Sequence, residues 1–194
     1  MRFNFEDVIK FHGHSCPGLA IGYRVALAAM EEFGIRSQDE ELVCIVENDS
    51  CAVDAIQLIT GCTFGKGNLI FKDYGKQVYT FFSRKENKAV RISVDFEFKE
   101  SDEEKALWQR FIQGDRSKEI VEFIENRKAQ KTKQILEAKK EEILKITYPT
   151  ITPPKQARVF KSLRCENCGE KVAEIKVRLL NSKILCIPCF EEVL

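Results

Sequence analysis

The segment FHGHSCPG at residues 11–18 gathers side chains that bind metals or act as nucleophiles. It holds His12 and His14, the only histidines among the 194 residues, and the thiol of Cys16. If residues 12–16 are extended, these three side chains project to one side, because side chains in an extended chain alternate with period two. The spacing therefore predicts a chelating group of two imidazoles and one thiol.

A second thiol occupies an equivalent place in the sequence. Cys16 immediately precedes a predicted helix that begins at Pro17, where unpaired N–H groups and the helix dipole lower the pKa of a thiol. Cys51 follows the polar run NDS, which supplies N-cap chemistry for another helix. Asp54 lies three residues further on and therefore on the same helical face. If the two helix N-termini meet, two thiols share one pocket.

Two thiolates and one imidazole form a zinc-binding set that leaves one position open for water or substrate. We therefore predict that His14, Cys16 and Cys51 hold a metal ion, either zinc, nickel or iron, at a catalytic site. His12 and Asp54 are predicted to support this site from outside the ligand set, with His12 orienting the ligand His14. The metal-free alternative is that His14 activates Cys16 as a nucleophile.

Two other cysteines and a glycine-rich loop lie in the same half of the chain. Cys44 lies in the apolar run ELVCIVE and is expected to be a small buried hydrophobe. For Cys62, the sequence favours neither a place in the core nor a functional role. The loop GCTFGKGN does not have the glycine spacing of a phosphate-binding P-loop. The hypothesis that remains for this loop is an anion-binding nest of backbone N–H groups, with Lys66 nearby.

The last four cysteines fit a structural zinc site. Cys165 and Cys168 form one C-x-x-C pair, Cys186 and Cys189 form another, and 17 residues lie between the pairs. Each tight turn points two thiolates at one ion, and two turns complete a tetrahedron. The order of knuckle, hairpin turning at Asn181 and helix looks like a treble-clef zinc finger. A rubredoxin-like iron and a redox disulfide pair are the alternatives.

Composition and periodicity divide the chain into three parts. Residues 1–146 are predicted to form an α+β domain, in which helices flank a largely antiparallel sheet. Residues 147–158 are rich in proline and are predicted to be a linker. Residues 159–194 are too few for a stable core without a metal and are predicted to be a small treble-clef or zinc-ribbon domain. The predicted strands are 41–47, 68–73, 77–84 and 88–98, and the predicted helices include 101–114 and 117–146.

The charge balance narrows the classes of function. The chain has 31 basic and 30 acidic residues, so it has no overall positive electrostatic field that would attract nucleic acid or an anionic membrane. The charged N-terminus does not resemble a secretory signal, and no stretch approaches the roughly 20 apolar residues that span a bilayer. We therefore expect a cytoplasmic protein without nucleic-acid or membrane partners, whose eight cysteines serve metal or thiol chemistry.

Two long segments of the N-terminal domain carry a family resemblance. FHGHSCPGLAIGYR and ENDSCAVDAIQLITGCTFGKGNLIFKDYGK strongly resemble the FmdE family, the family of the E subunit of formylmethanofuran dehydrogenase, over residues 1 to about 146. The resemblance implies an α+β core that is commonly dimeric, with a cleft lined by histidine and cysteine, and in some members a C-terminal treble-clef zinc finger. The metal or active-site positions that it implies are drawn from His12, His14, Cys16, Cys51 and Asp54.

Two classes of function follow from these observations. In the first, the core is a metal-dependent catalytic or accessory domain in C1 or molybdenum-enzyme metabolism. The resemblance implies that the redox chemistry itself belongs to partner subunits with molybdenum or tungsten and iron–sulfur clusters, so catalysis by this chain is left open. In the second, the protein is a noncatalytic metal-handling or zinc-finger interaction and regulatory module. Both classes include structural zinc in the finger and a homodimer.

Overall fold

The computed structural model describes residues 3–193, which form two compact units that divide between Gln156 and Ala157. The proline-rich residues before this division belong to the first unit. The Arg84 guanidinium donates hydrogen bonds to the carbonyls of Pro154 and Lys155. Within the described part of the chain, no helix is both long and apolar enough to cross a membrane.

Three helices and a strand open the N-terminal unit. They are α1 (Phe5–His12), α2 (Pro17–Phe33), β1 (Leu42–Val46) and α3 (Ala52–Thr60). Helix α2 begins at the proline and ends before a glycine, as the sequence predicts, because proline fits the first helical position and glycine accepts the left-handed cap. Helix α1 has a capping box and was not part of the sequence prediction.

A five-stranded sheet forms the other layer of the N-terminal unit. Its order is β2-β1-β3-β4-β5, and every neighbouring pair is antiparallel except β1 with β2. Every residue of the central strand β3 is buried, and α2 and α3 share the apolar core with the sheet. The predicted α+β class is therefore confirmed. The remaining strands are β2 (Leu69–Phe71), β3 (Val78–Ser83), β4 (Lys88–Val94) and β5 (Leu144–Thr147).

The predicted helix over residues 117–146 is wrong after Glu137. After α4 (Asp102–Ile112), helix α5 (Lys118–Glu137) ends at an extended residue, and the short α6 (Lys140–Ile143) leads into β5. Residues 144–147 pair with β4 and bury Leu144 in the core, so long-range pairing overrides the local helical pattern. Strand β4 also ends earlier than predicted, at Val94.

Helices α2 and α3 approach each other closely at two glycines of α2. A Cβ atom added to Gly22 would lie 2.2 Å from the carbonyl oxygen of Ala52, and one added to Gly18 would lie 3.3 Å from the Cβ of Cys51. A contact of 2.2 Å with backbone forces the helices apart, because backbone atoms cannot rotate away. The absence of side chains at these glycines therefore brings the start of α3 against α2.

The C-terminal unit is small and built from two hairpins and one helix. Strands β6 (Ser162–Arg164) and β7 (Lys171–Ala173) form the first hairpin, and a 3-10 turn follows. Strands β8 (Arg178–Leu180) and β9 (Lys183–Leu185) form the second, which turns at Asn181 with positive φ, as predicted. Helix α7 (Ile187–Glu191) ends the unit.

The substitution Gly22→Ala tests the close approach of α2 and α3. We expect it to lower the free energy of unfolding of the N-terminal unit by about 2 kcal/mol, because the new methyl group overlaps the carbonyl of Ala52. Urea denaturation followed by circular dichroism measures the change. The control is Gly65→Ala, whose added Cβ meets no atom within 4 Å and should change stability by less than about 0.5 kcal/mol. Equal stabilities of the two variants would contradict the packing argument.

Candidate metal centre

The chain between α1 and α2 turns sharply instead of running extended. His12 is the last residue of α1, and Gly13 ends this helix with φ of 98° while its N–H donates to the carbonyl of Ile9 at 2.7 Å. The premise that residues 12–16 are extended is therefore wrong. A helix end followed by a glycine turn brings His12, His14 and Cys16 together instead.

Four side chains from three helix ends meet at this turn. His12, His14, Cys16 and Cys51 each offer one ligand atom, and these atoms all lie within 4.8 Å of one another. The two imidazole rings are tilted by 40° with centroids 4.4 Å apart. The backbone N–H of Leu19 donates to the Sγ of Cys16 at 3.3 Å, so this thiol caps α2. We call these four residues the core group.

A carboxylate fixes the orientation of one histidine in the core group. Nδ1 of His12 lies 2.7 Å from Oδ2 of Asp54, and since an ionised carboxylate only accepts hydrogen bonds, Nδ1 is the donor. The other ring nitrogen, Nε2, is buried and has no hydrogen-bond partner among residues 3–193. A buried lone pair with a fixed tautomer has the geometry of a metal ligand whose orientation a carboxylate controls. His12 thus offers a ligand atom beside that of His14, whereas the sequence prediction put it outside the ligand set.

The two thiols of the core group affect each other. Burial raises the pKa of Cys51, and its hydrogen bond with Cys16 raises the pKa further by stabilising the protonated thiol. Repulsion between two negative charges at the same place acts in the same direction. A divalent cation reverses this effect, since a coordinated thiol is deprotonated. The donor set therefore fits a metal ion better than it fits two free thiolates.

A cleft of about 360 Å³ opens beside the core group. Its inner wall includes His12, Cys51 and Asp54, while His14 is exposed at the surface. The sequence analysis missed the rest of the lining, because no local pattern marks residues that converge only in the fold. These further lining residues are Val46, Asn48, Asp49, Ser50, Val53, Gln57, Phe64, Leu69 and Phe71.

The remaining residues singled out in the N-terminal domain have structural contacts. Cys44 is fully buried, as expected, and burial raises the pKa of Cys62 to about 11. The Sγ of Cys62 donates to the carbonyl of Leu42 at 3.3 Å, which assigns it to the core. The Lys66 ammonium donates to the backbone carbonyls of Ser37 and Gln38, so it fixes the loop and is not directed at an anion.

The four C-terminal cysteines form a second group. Their sulfur atoms all lie within 4.8 Å of one another, with the first pair in the β6–β7 turn and the second pair at the start of α7. Backbone N–H groups of Cys168 and then Cys186 lower the pKa of Cys165 to about 6, because they donate to its thiolate. This group is a closed set of four thiolates, as in structural zinc sites.

The chain is thus a metal-binding protein with an α+β domain that carries a His/Cys group, followed by a small four-cysteine unit. Residues 11–145 match the sequence model of the FmdE family, described as "FmdE, Molybdenum formylmethanofuran dehydrogenase operon". The chain belongs to this family, so the resemblance is confirmed. Residues 158–193 match the "Prokaryotic dksA/traR C4-type zinc finger", and the C-terminal unit is a zinc finger of this type.

Two individual proteins are similar to this chain. A "Probable S-adenosyl-L-methionine-binding protein" of Archaeoglobus fulgidus is 34% identical over 193 residues, which are 93% of this chain and 50% of the relative. The chain therefore spans about half the length of this curated relative. The crystal structure of a "tungsten formylmethanofuran dehydrogenase subunit e (fmde)-like protein" from Syntrophus aciditrophicus has a similar fold, with a TM-score of 0.60 at 22% identity. The match covers 98% of this chain and 94% of that one.

Replacing one cysteine of the finger tests its zinc site. We expect Cys168→Ser to lose one equivalent of zinc per chain and to unfold the C-terminal unit, because so small a unit depends on its metal. Elemental analysis and the dispersion of amide NMR signals from residues 158–193 measure these effects. The control is Asn167→Ser, which lies in the same turn and keeps all four thiolates. An unchanged zinc content in Cys168→Ser would refute the assignment.

Proposed function

We propose that the FmdE domain binds a divalent metal ion with the core group and acts on a small molecule in the adjacent cleft. The role is metal-dependent catalysis or an accessory step in C1 metabolism linked to a molybdenum or tungsten enzyme. One observation carries the proposal. It is the buried Nε2 of His12, which has no hydrogen-bond partner among the described residues and lies beside two thiols and a second imidazole.

The donor set supports zinc as the first choice of metal. Two thiolates and two imidazoles suit zinc, and the same soft and intermediate ligands also bind nickel and iron, which remain the alternatives. The ligands come from the end of α1, the cap of α2 and the residue before α3. Because these are rigid helix ends, the ligand atoms are held close together before the metal binds.

Each protein group in the proposed site has a distinct task. Asp54 holds the His12 ring in one tautomer through Nδ1 and leaves Nε2 to the metal. Cys51 and His12 present the ligand set to the cleft, and the exposed His14 marks the side that solvent reaches. When bound, the divalent ion supplies Lewis acidity toward an oxygen or nitrogen atom of the substrate.

The cleft favours this role over the alternative of a noncatalytic metal carrier or interaction module. A carrier needs ligands that release the ion, whereas a cavity of about 360 Å³ against the ligand set is large enough for a small organic molecule. The link to C1 metabolism rests on the description of the family and of the Syntrophus aciditrophicus relative. The homodimer and the partner subunits stay predictions.

Removing both core thiols tests whether the core binds a metal. We expect the double variant Cys16→Ser/Cys51→Ser to lose one metal equivalent per chain while the zinc of the finger remains, because serine hydroxyls are poor ligands for these ions. Elemental analysis of the purified full chain measures the content. The matched control is Cys44→Ala/Cys62→Ala, which removes two thiols outside the core group. If the Cys16/Cys51 variant keeps the metal content of the unmodified chain, the proposed core site is wrong.

The carboxylate that holds His12 should control how tightly the core metal binds. Asp54→Asn preserves the shape of the side chain but removes its charge, and we expect the metal affinity to fall about 10- to 100-fold. Competition with a coloured chelator measures this affinity. Asp73→Asn is the control, because Asp73 is exposed and lies outside the cleft lining. Equal affinities in the two variants would rule out the proposed role of Asp54.

A further inference from the structure

The outer wall of the cleft carries two exposed aromatic side chains. Phe64 is 76% exposed and Phe71 is 45% exposed, and both line the cleft that His12, Cys51 and Asp54 also line. Aromatic faces that border a cavity offer stacking surface to a flat ligand and attract a cation through the ring quadrupole. The cleft volume of about 360 Å³ lies near the lower end of the range for small-molecule sites.

The charged side chains that line the cleft are negative. Its lining contains the carboxylates of Asp49 and Asp54, and none of the described residues that line it is lysine or arginine. Asp54 is engaged by His12, whereas Asp49 is exposed and has no ion pair or side-chain hydrogen bond to another described residue. The nearest loop cation, Lys66, donates to backbone carbonyls and does not line the cleft.

A metal ion in the core does not reverse this sign. Two thiolates balance the charge of a divalent ion and the histidine ligands are neutral, so the two carboxylates leave the cleft negative. An anionic ligand would meet carboxylates without a basic partner, which is unfavourable in a partly desolvated site. A cation gains from the carboxylates and from the aromatic faces together.

We propose that the cleft takes an organic cation with a flat apolar body, of the ammonium class. The body packs against Phe64 and Phe71, the positive charge lies toward Asp49, and the end nearest the core group meets the metal. This inference rests on the proposed function, because the inner wall of the cleft is the proposed metal site. It adds the class of substrate, which the ligand set alone does not define.

Three probes of similar size test the preference for a cation. Benzyltrimethylammonium carries a positive charge and has no lone pair, so it cannot bind by ligating the metal. Benzyl alcohol is neutral, and benzoate is negative. We expect the ammonium probe to bind the full metal-loaded chain about two- to fivefold tighter than the alcohol, because a single exposed carboxylate contact is worth up to about that factor, and benzoate to bind weakest. Amide NMR titration gives the dissociation constants and shows which residues shift.

Two variants assign the preference to particular side chains. Asp49→Asn should bring the affinities for the ammonium and the alcohol probes to about the same value, whereas the control Asp73→Asn should keep the difference. Phe64→Ala should weaken the binding of both probes about tenfold, because it removes a stacking face. The control is Phe11→Ala, which removes an aromatic ring that is 54% exposed and outside the cleft.

The outcomes separate this inference from the proposed function. Benzoate binding as tightly as the ammonium probe, no saturable binding, or a preference that survives Asp49→Asn would each overturn the inference. The metal content of every sample is measured in parallel. If the core metal is present and the ammonium probe does not bind, the inference fails and the proposed function stands. If the probe binds as expected but the core holds no metal, the proposed function fails and the cation site stands.

Discussion

The close approach of α2 and α3 is the constraint on which the core group depends. Gly22 lets the backbone of α2 touch Ala52, and Gly18 leaves room for the Cβ of Cys51. The N-termini of the two helices therefore lie side by side, and the thiol that caps α2 shares one group with the thiol that precedes α3. A larger residue at Gly22 would push α3 away from α2, whereas one at Gly18 would press directly on the side chain of Cys51.

The contact between His12 and Asp54 adds the third helix to this arrangement. A carboxylate in the first turn of α3 holds the imidazole at the end of α1, and the second ring nitrogen is left buried. An unsatisfied buried polar atom costs about 1–3 kcal/mol. The proposed metal ion would remove that cost, and its binding would then be coupled to the stability of this corner of the fold.

Local chemistry explains which parts of the structure the sequence predicts. Proline and glycine mark both ends of α2, and the spacing of the C-x-x-C pairs marks the finger, because each signal acts within a few residues. The strand at 144–147 depends on pairing with β4, and the cleft depends on Asp49, Phe64 and Phe71 converging from separate elements. No local pattern carries such long-range information. The helix end at Gly13 was not predicted for a different reason, since the period-two spacing of the histidines also fits an extended chain.

The core group and the four cysteines of the finger differ in net charge, and this difference favours the core group as the reactive site. Four thiolates around a divalent ion leave an excess of two negative charges, so the ion in the finger is electronically saturated. In the proposed core site, two thiolates and two neutral imidazoles would balance the charge of the ion, which would therefore keep more of its Lewis acidity. The core group also borders a cleft and includes the exposed His14. Under the proposed function, a substrate would approach the core ion from the cleft, while the zinc of the finger stabilises a unit too small to fold on apolar burial alone.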